Sequence, residues 1–144
     1  MNTLTFESRI NAPVTRVWET LWNDPTYRLW TAVFMLGSYA VSDWEEGSPI
    51  MFLSSGDCGM YSVIETKILN KQMSFRHLGE VINGEKIAKD WGNVTENYYL
   101  EENGDSTQLK IAMDSAPEFE DYMKETFPKA IAILKEICET QPKL

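Results

Sequence analysis

One long amphipathic segment ends this chain, and nothing before it is long enough to do the same work. From Pro117 to about Glu139 the apolar residues Phe119, Met123, Phe127, Ala130, Ile131, Leu134, Ile137 and Cys138 recur at helical spacing. The stretch ahead of it, from Tyr39 to Asp114, reads as strands joined by tight turns. Such a strand series has one apolar face, and an apolar sheet face must be covered. The natural packing solution is a curved antiparallel sheet of six or seven strands wrapped around this helix, an α+β fold. Pro128 lies inside the stripe. It removes one backbone hydrogen bond and predicts a kink near Lys124.

The elements ahead of the helix can be read in order. Leu4, Phe6, Ser8 and Ile10 alternate with Thr5, Glu7 and Arg9, the period of a half-buried strand. Asn11 is positioned to cap a helix whose first turn holds Pro13, and Val14, Val17, Trp18 and Leu21 form its stripe. Asp24-Pro25 starts a second short helix with Tyr27, Trp30 and Phe34 inward. Strands are expected at Tyr39 to Trp44, Ile50 to Ser54, Met60 to Leu69, Met73 to Val81, Val94 to Glu101 and Thr107 to Asp114. A less regular stretch runs from the turn at Ile82–Glu85 to Asp90. Asn103-Gly104-Asp105 is the strongest hairpin signal.

At 144 residues, 43% apolar and 24% charged, the chain is sized for one domain spanning 1–144 with a core that needs no staple. The net charge of −9 disfavours nucleic acid and anionic membrane surfaces as partners. No apolar run reaches the length of a membrane span, and the N-terminus lacks the pattern of a signal peptide. Cys58 and Cys138 form no metal or redox motif, and free thiols suit the cytoplasm. Monomer and homodimer both remain open.

The order of these elements carries a resemblance. Ile10-Asn11-Ala12-Pro13-Val14-Thr15-Arg16-Val17-Trp18 resembles the opening motif of the SRPBCC superfamily, the START-like helix-grip proteins. Asp24-Pro25 followed by Trp30 resembles its next piece. Asp43-Trp44-Glu45-Glu46-Gly47-Ser48 and the span from Gly59 to Glu65 resemble the branch related to activators of the ninety-kilodalton heat-shock chaperone ATPase. Ser106-Thr107-Gln108-Leu109 and Ile133-Leu134-Lys135 are similar to that branch's last strand and last helix. The chain departs from it at Phe34-Met35-Leu36-Gly37, where a proline is usual. The resemblance implies a helix-grip fold with a cavity between sheet and long helix. It does not imply one activity, because members include lipid and hormone carriers, aromatic cyclases and chaperone activators.

Strand parity predicts what would line such a cavity. Met60, Ile64 and Ile68 share one face, as do Met73, Phe75 and His77, then Tyr98 and Leu100, then Leu109, Ile111 and Met113. Phe119, Met123 and Phe127 would face them from the helix, with Trp30, Phe34 and Phe52 closing one end. A set rich in aromatics and methionine suits an adaptable apolar pocket; the alternative is that the same residues fill a dry core.

The leading functional expectation is therefore a non-catalytic binding protein for an apolar small molecule, lipid-like or aromatic. The alternatives are a co-chaperone-like activator acting through its surface, or a cyclase- or hydrolase-like enzyme using His77 or Glu96. His77 is the one histidine and could serve as a general acid or base, but a lone strand histidine is more often a hydrogen-bonded wall residue. Glu96 shares parity with Tyr98. If buried it would need a partner such as Arg76, Tyr98 or His77, and a rim position is the simpler expectation. No catalytic residue, metal set or cofactor motif is evident.

Overall fold

The structure is a computed structural model and describes residues 2–140. An antiparallel sheet of eight strands carries the chain: β1 (Asn2–Ile10), β2 (Tyr39–Val41), β3 (Pro49–Ser54), β4 (Cys58–Ile68), β5 (Gln72–Ile82), β6 (Glu85–Ala88), β7 (Thr95–Asn103) and β8 (Ser106–Ser115). Its order is β1-β8-β7-β5-β4-β3-β2, and β6 pairs with β5 outside this path. Helices α1 (Val14–Trp22) and α2 (Asp24–Thr31) follow the first strand. A 3-10 turn (Pro117–Phe119) and the long helix α3 (Glu120–Thr140) close the chain.

The sheet curves around α3, as the single long apolar stripe requires. Phe127, Ala130, Ile131, Leu134 and Cys138 of α3 join Ile64, Met73, Phe75, Tyr98, Leu109 and Ile111 of the sheet in one buried core. The end of α3 is tied to the start of the chain. Asn11 donates its backbone N–H to Glu139 Oε2 at 2.8 Å, and Lys135 Nζ donates to the Arg9 carbonyl at 3.0 Å. Pro128 sits on the exposed side within the continuous helix.

Two register shifts in the β4–β5 pair bend the sheet. Between Tyr61 and Ser62 the partner changes from Gly79 to His77, which leaves Leu78 as the extra residue. Between Ile64 and Thr66 it changes from Phe75 to Ser74, which leaves Glu65 extra.

Four local expectations are corrected. Asn11 does not cap α1: Pro13 is the cap residue, with no side-chain hydrogen bond, and Asn11 serves Glu139 instead. The expected strand from Tyr39 to Trp44 ends at Val41. Ser42 Oγ accepts the Trp44 N–H at 3.0 Å, Asp43 Oδ1 accepts the Glu45 N–H at 3.0 Å, and Trp44 takes φ 63°, so the chain curls there. The irregular stretch after Ile82 contains β6, because the Asn83-Gly84 turn, both residues at positive φ, folds it back on β5. This makes eight strands where six or seven were expected. Ile68 is 47% exposed, since the extra residue Glu65 reverses the strand parity beyond it.

Candidate functional site

The concave face carries a buried polar string among aromatics. Ser62, on β4, pairs in register with His77 on β5, and their side chains meet at 2.6 Å from Oγ to Nδ1. His77 Nε2 lies 3.2 Å from Glu96 Oε1 on β7. The Tyr98 hydroxyl donates to Glu96 Oε2 at 2.5 Å. If Ser62 donates to Nδ1, the imidazole carries its proton on Nε2 and donates to Glu96. The carboxylate then accepts two hydrogen bonds, one at each oxygen.

Glu96 is thus inward, its side chain only 17% exposed, and the simpler expectation of a rim charge is corrected. Two of the three partners named for it, His77 and Tyr98, hold it. Arg76 instead faces Glu65, 4.0 Å away on the outer side. Burial pushes the Glu96 pKa up, but the hydrogen bond and charge of His77 and the hydrogen bond of Tyr98 outweigh it and hold the group below its ordinary value. Burial, then the charge of Glu96, drive the Tyr98 phenol well above its ordinary value, so it stays a donor.

Most of the residues expected to line a cavity lie inside the fold, packed in its core. Trp30, Ile64, Phe75, His77, Tyr98, Met113 and Phe127 are buried. Phe34, Phe52 and Met123 pack half-buried against the same core, and Met60 is half-buried. They fall into two groups. Phe127 stacks on Phe6 at 4.9 Å and meets Phe34 edge-on at 4.8 Å. Phe52 meets Phe75 at 5.0 Å and the His77 ring at 6.0 Å. Phe119 is a correction: it is 55% exposed. It belongs to the 3-10 turn, whose 120° per residue puts it out of phase with the α3 stripe.

Sequence reasoning missed Ser62, Trp22 and Trp44 as interior residues, and it put Phe6 on the inner face of the first strand without joining it to Phe127. The parity that turns Met60 and Ile64 inward also turns Ser62 inward, and its polarity hid it. Trp22 extends the α1 stripe one step past Leu21 and meets Tyr98 at 4.9 Å, Phe75 at 5.5 Å and Trp44 at 5.6 Å. Its Nε1 is the one buried side-chain polar atom among the described residues with no hydrogen-bond partner. Trp22 also walls a small cavity of about 20 Å³ with Asp24, Tyr27, Ala40 and Trp44. A more open groove of about 480 Å³ lies between β1 and α3, beside Phe6 and Pro128.

No group of three or more metal-ligating side chains is found among the described residues. No described helix is long and apolar enough to cross a membrane. Cys58 and Cys138 are both free thiols.

In sequence, the chain matches no known family pattern and no curated protein. In structure it is similar to several solved proteins. The Aha1 dimer from Colwellia psychrerythraea superimposes with a TM-score of 0.75 at 17% identity, over 97% of this chain and 98% of that one. CalU16 from Micromonospora echinospora gives 0.70 at 15% identity, over 98% and 76%. Protein MLL2253 from Mesorhizobium loti gives 0.75 at 13% identity, over 99% and 100%. The chain has the helix-grip fold, and the Aha1 dimer from Colwellia psychrerythraea is among the solved structures that share it.

Proposed function

We propose that this protein binds a small, mostly apolar molecule on the concave face of its sheet, beneath α3. One observation carries the reading: Ser62, His77, Glu96 and Tyr98 form a polar string inside an aromatic and methionine-rich interior. Burying such groups is unfavourable, and apolar packing alone would have served folding. A few converging polar groups in an apolar setting are what a site for an oriented ligand needs. The interior residues that would contact the ligand are Trp30, Phe34, Phe52, Met60, Ile64, Phe75, His77, Tyr98, Met113, Met123 and Phe127.

The neutral fluorescent probe N-phenyl-1-naphthylamine tests this. The wild-type protein should bind it saturably, with micromolar affinity at best. Met123→Trp should fill the space and weaken binding while the fold survives. Absence of probe binding together with unfolding of Met123→Trp would show a packed core and end this reading. Native mass spectrometry of protein from its own host would show a retained ligand as added mass.

A second reading takes support from the same string. Serine, histidine and glutamate in hydrogen-bonded sequence can activate a hydroxyl for acyl transfer. Here Ser62 sits on Nδ1 and Glu96 on Nε2. Hydrolysis of p-nitrophenyl acetate that disappears in Ser62→Ala would favour it; equal rates in both proteins would remove it. A chaperone partner draws on the fold likeness to Aha1 alone.

A further inference from the structure

The Trp22 indole is 7% exposed, and its N–H has no acceptor. A buried side-chain donor without a protein partner is rare in a folded protein. The same side chain is one wall of the 20 Å³ cavity, whose other walls are Asp24, Tyr27, Ala40 and Trp44. In its present form that cavity holds about one water molecule.

Trp44 is the unusual wall. Its backbone has φ 63°, a conformation that a bulky side chain adopts only under constraint. Ser42 Oγ holds its N–H at 3.0 Å, and Lys67 Nζ reaches its carbonyl at 2.7 Å. Its ring is only partly buried and lies over Trp22 at 5.6 Å, tilted by 43°. Strained residues of this kind cluster where a protein clamps a ligand. Displacing this ring would open the space of one bicyclic ring above Trp22.

We infer that Trp22, Tyr27 and Trp44 form a binding site for a small, uncharged, planar aromatic molecule carrying a carbonyl or ring-nitrogen acceptor, with Trp44 as its movable wall and the Trp22 N–H as its anchor. Aromatic walls select a flat ligand. The unsatisfied group is a donor, so the ligand supplies an acceptor. A cationic ligand fits less well, because both oxygens of Asp24 already accept from Arg28 Nε, at 3.0 and 2.9 Å. Burial, then the charge of Glu96, raise the Tyr27 phenol above its ordinary value, which leaves it a neutral wall. The site rests on the proposed interior binding function and places one end of the ligand, since Trp22 also touches Phe75 and Tyr98.

Coumarin, with a ring carbonyl, and naphthalene, without one, test it by titration of the full ¹⁵N-labelled chain. Coumarin should shift the Trp22 indole N–H resonance saturably, and naphthalene should not move it downfield. Trp22→Phe should weaken coumarin at least fivefold more than it weakens naphthalene, which loses only ring contact. Trp44→Gly, which suits the positive φ, should tighten coumarin at least tenfold. If Trp22→Phe fails to fold, the wild-type indole shift decides. A coumarin affinity indifferent to Trp22→Phe, or a Trp22 resonance that neither probe moves and that reports a bound water only, overturns the site. Interior binding survives that result if N-phenyl-1-naphthylamine still binds and Met123→Trp weakens it; both readings fall if no probe binds.

Discussion

His77 Nε2 stands 3.2 Å from Glu96 Oε1 across the β5–β7 pair, on a diagonal of the ladder, because Glu96 lies opposite Phe75. This diagonal lets the imidazole reach the carboxylate on one side and Ser62 on the other. The contact joins three strands through side chains as well as backbone.

Removing one partner of this contact should be worse than removing both. His77→Ala leaves Glu96 inside with one donor lost, and a destabilisation of about 2–4 kcal/mol is expected. Adding Glu96→Gln should recover part of the loss. Urea melts of the single and double variants measure the coupling, and strictly additive losses would show that the contact contributes nothing.

The aromatic end of the core is tested at Phe127, which is 3% exposed and wedged between Phe6 and Phe34. Phe127→Ala should destabilise by about 3–5 kcal/mol, the usual result of emptying a packed aromatic site. A loss well below that would indicate space already present beside the ring, as a ligand cavity would provide. Denaturant midpoints distinguish the two.

Glycine matters at Gly79 for space. A Cβ there would lie 2.2 Å from the Ile87 carbonyl oxygen and 2.6 Å from the Tyr61 ring. The backbone oxygen cannot yield without disturbing the β5–β6 pairing. Gly79→Ala should therefore destabilise by about 1–3 kcal/mol, with hydrogen exchange rising first in β6. Unchanged protection of residues 85–88 would contradict this.

Acid should weaken the fold in a defined window. Burial raises the Glu96 and Asp114 carboxyls, but hydrogen bonds overcome it in both. His77 and Tyr98 hold Glu96 down; the Thr95 N–H at 2.9 Å and the Thr3 hydroxyl at 2.7 Å do so for Asp114. A depressed folded pKa means that folding favours the ionised form. Stability from these groups is fully present above the ordinary carboxylate range near about 4 and is lost as pH falls from there through their lower folded values. Urea midpoints should decline below about pH 5, less steeply in Asp114→Asn.

The element order and the packing partner of the last helix were legible in the chain. The stripe ending at Cys138 fits only a helix, and only one helix could cover the sheet. Strand parity brought Phe75, His77 and Tyr98 to one face correctly, because period-two alternation holds while the register does. It failed at Ile68, where Glu65 is an extra residue that local sequence does not announce. It failed at Phe119 because a proline-led turn of 3-10 geometry shifts the phase of the helix.

The hydrogen-bonded string was only half visible. Tyr98 and His77 were named as partners for Glu96, but Ser62 was hidden among apolar neighbours, and the diagonal reach from β5 to β7 depends on strand order. The pairing of Trp22 with Trp44 needed the whole fold, since one ends a helix and the other sits in a turn twenty-two residues later. Sequence by itself determined which apolar residues face the core wherever strand register and helix phase are unbroken, because that follows from local periodicity and burial of apolar surface. Only the tertiary structure decided which polar groups meet there and which is left unpaired, because hydrogen bonds require ångström-scale placement of side chains from distant segments.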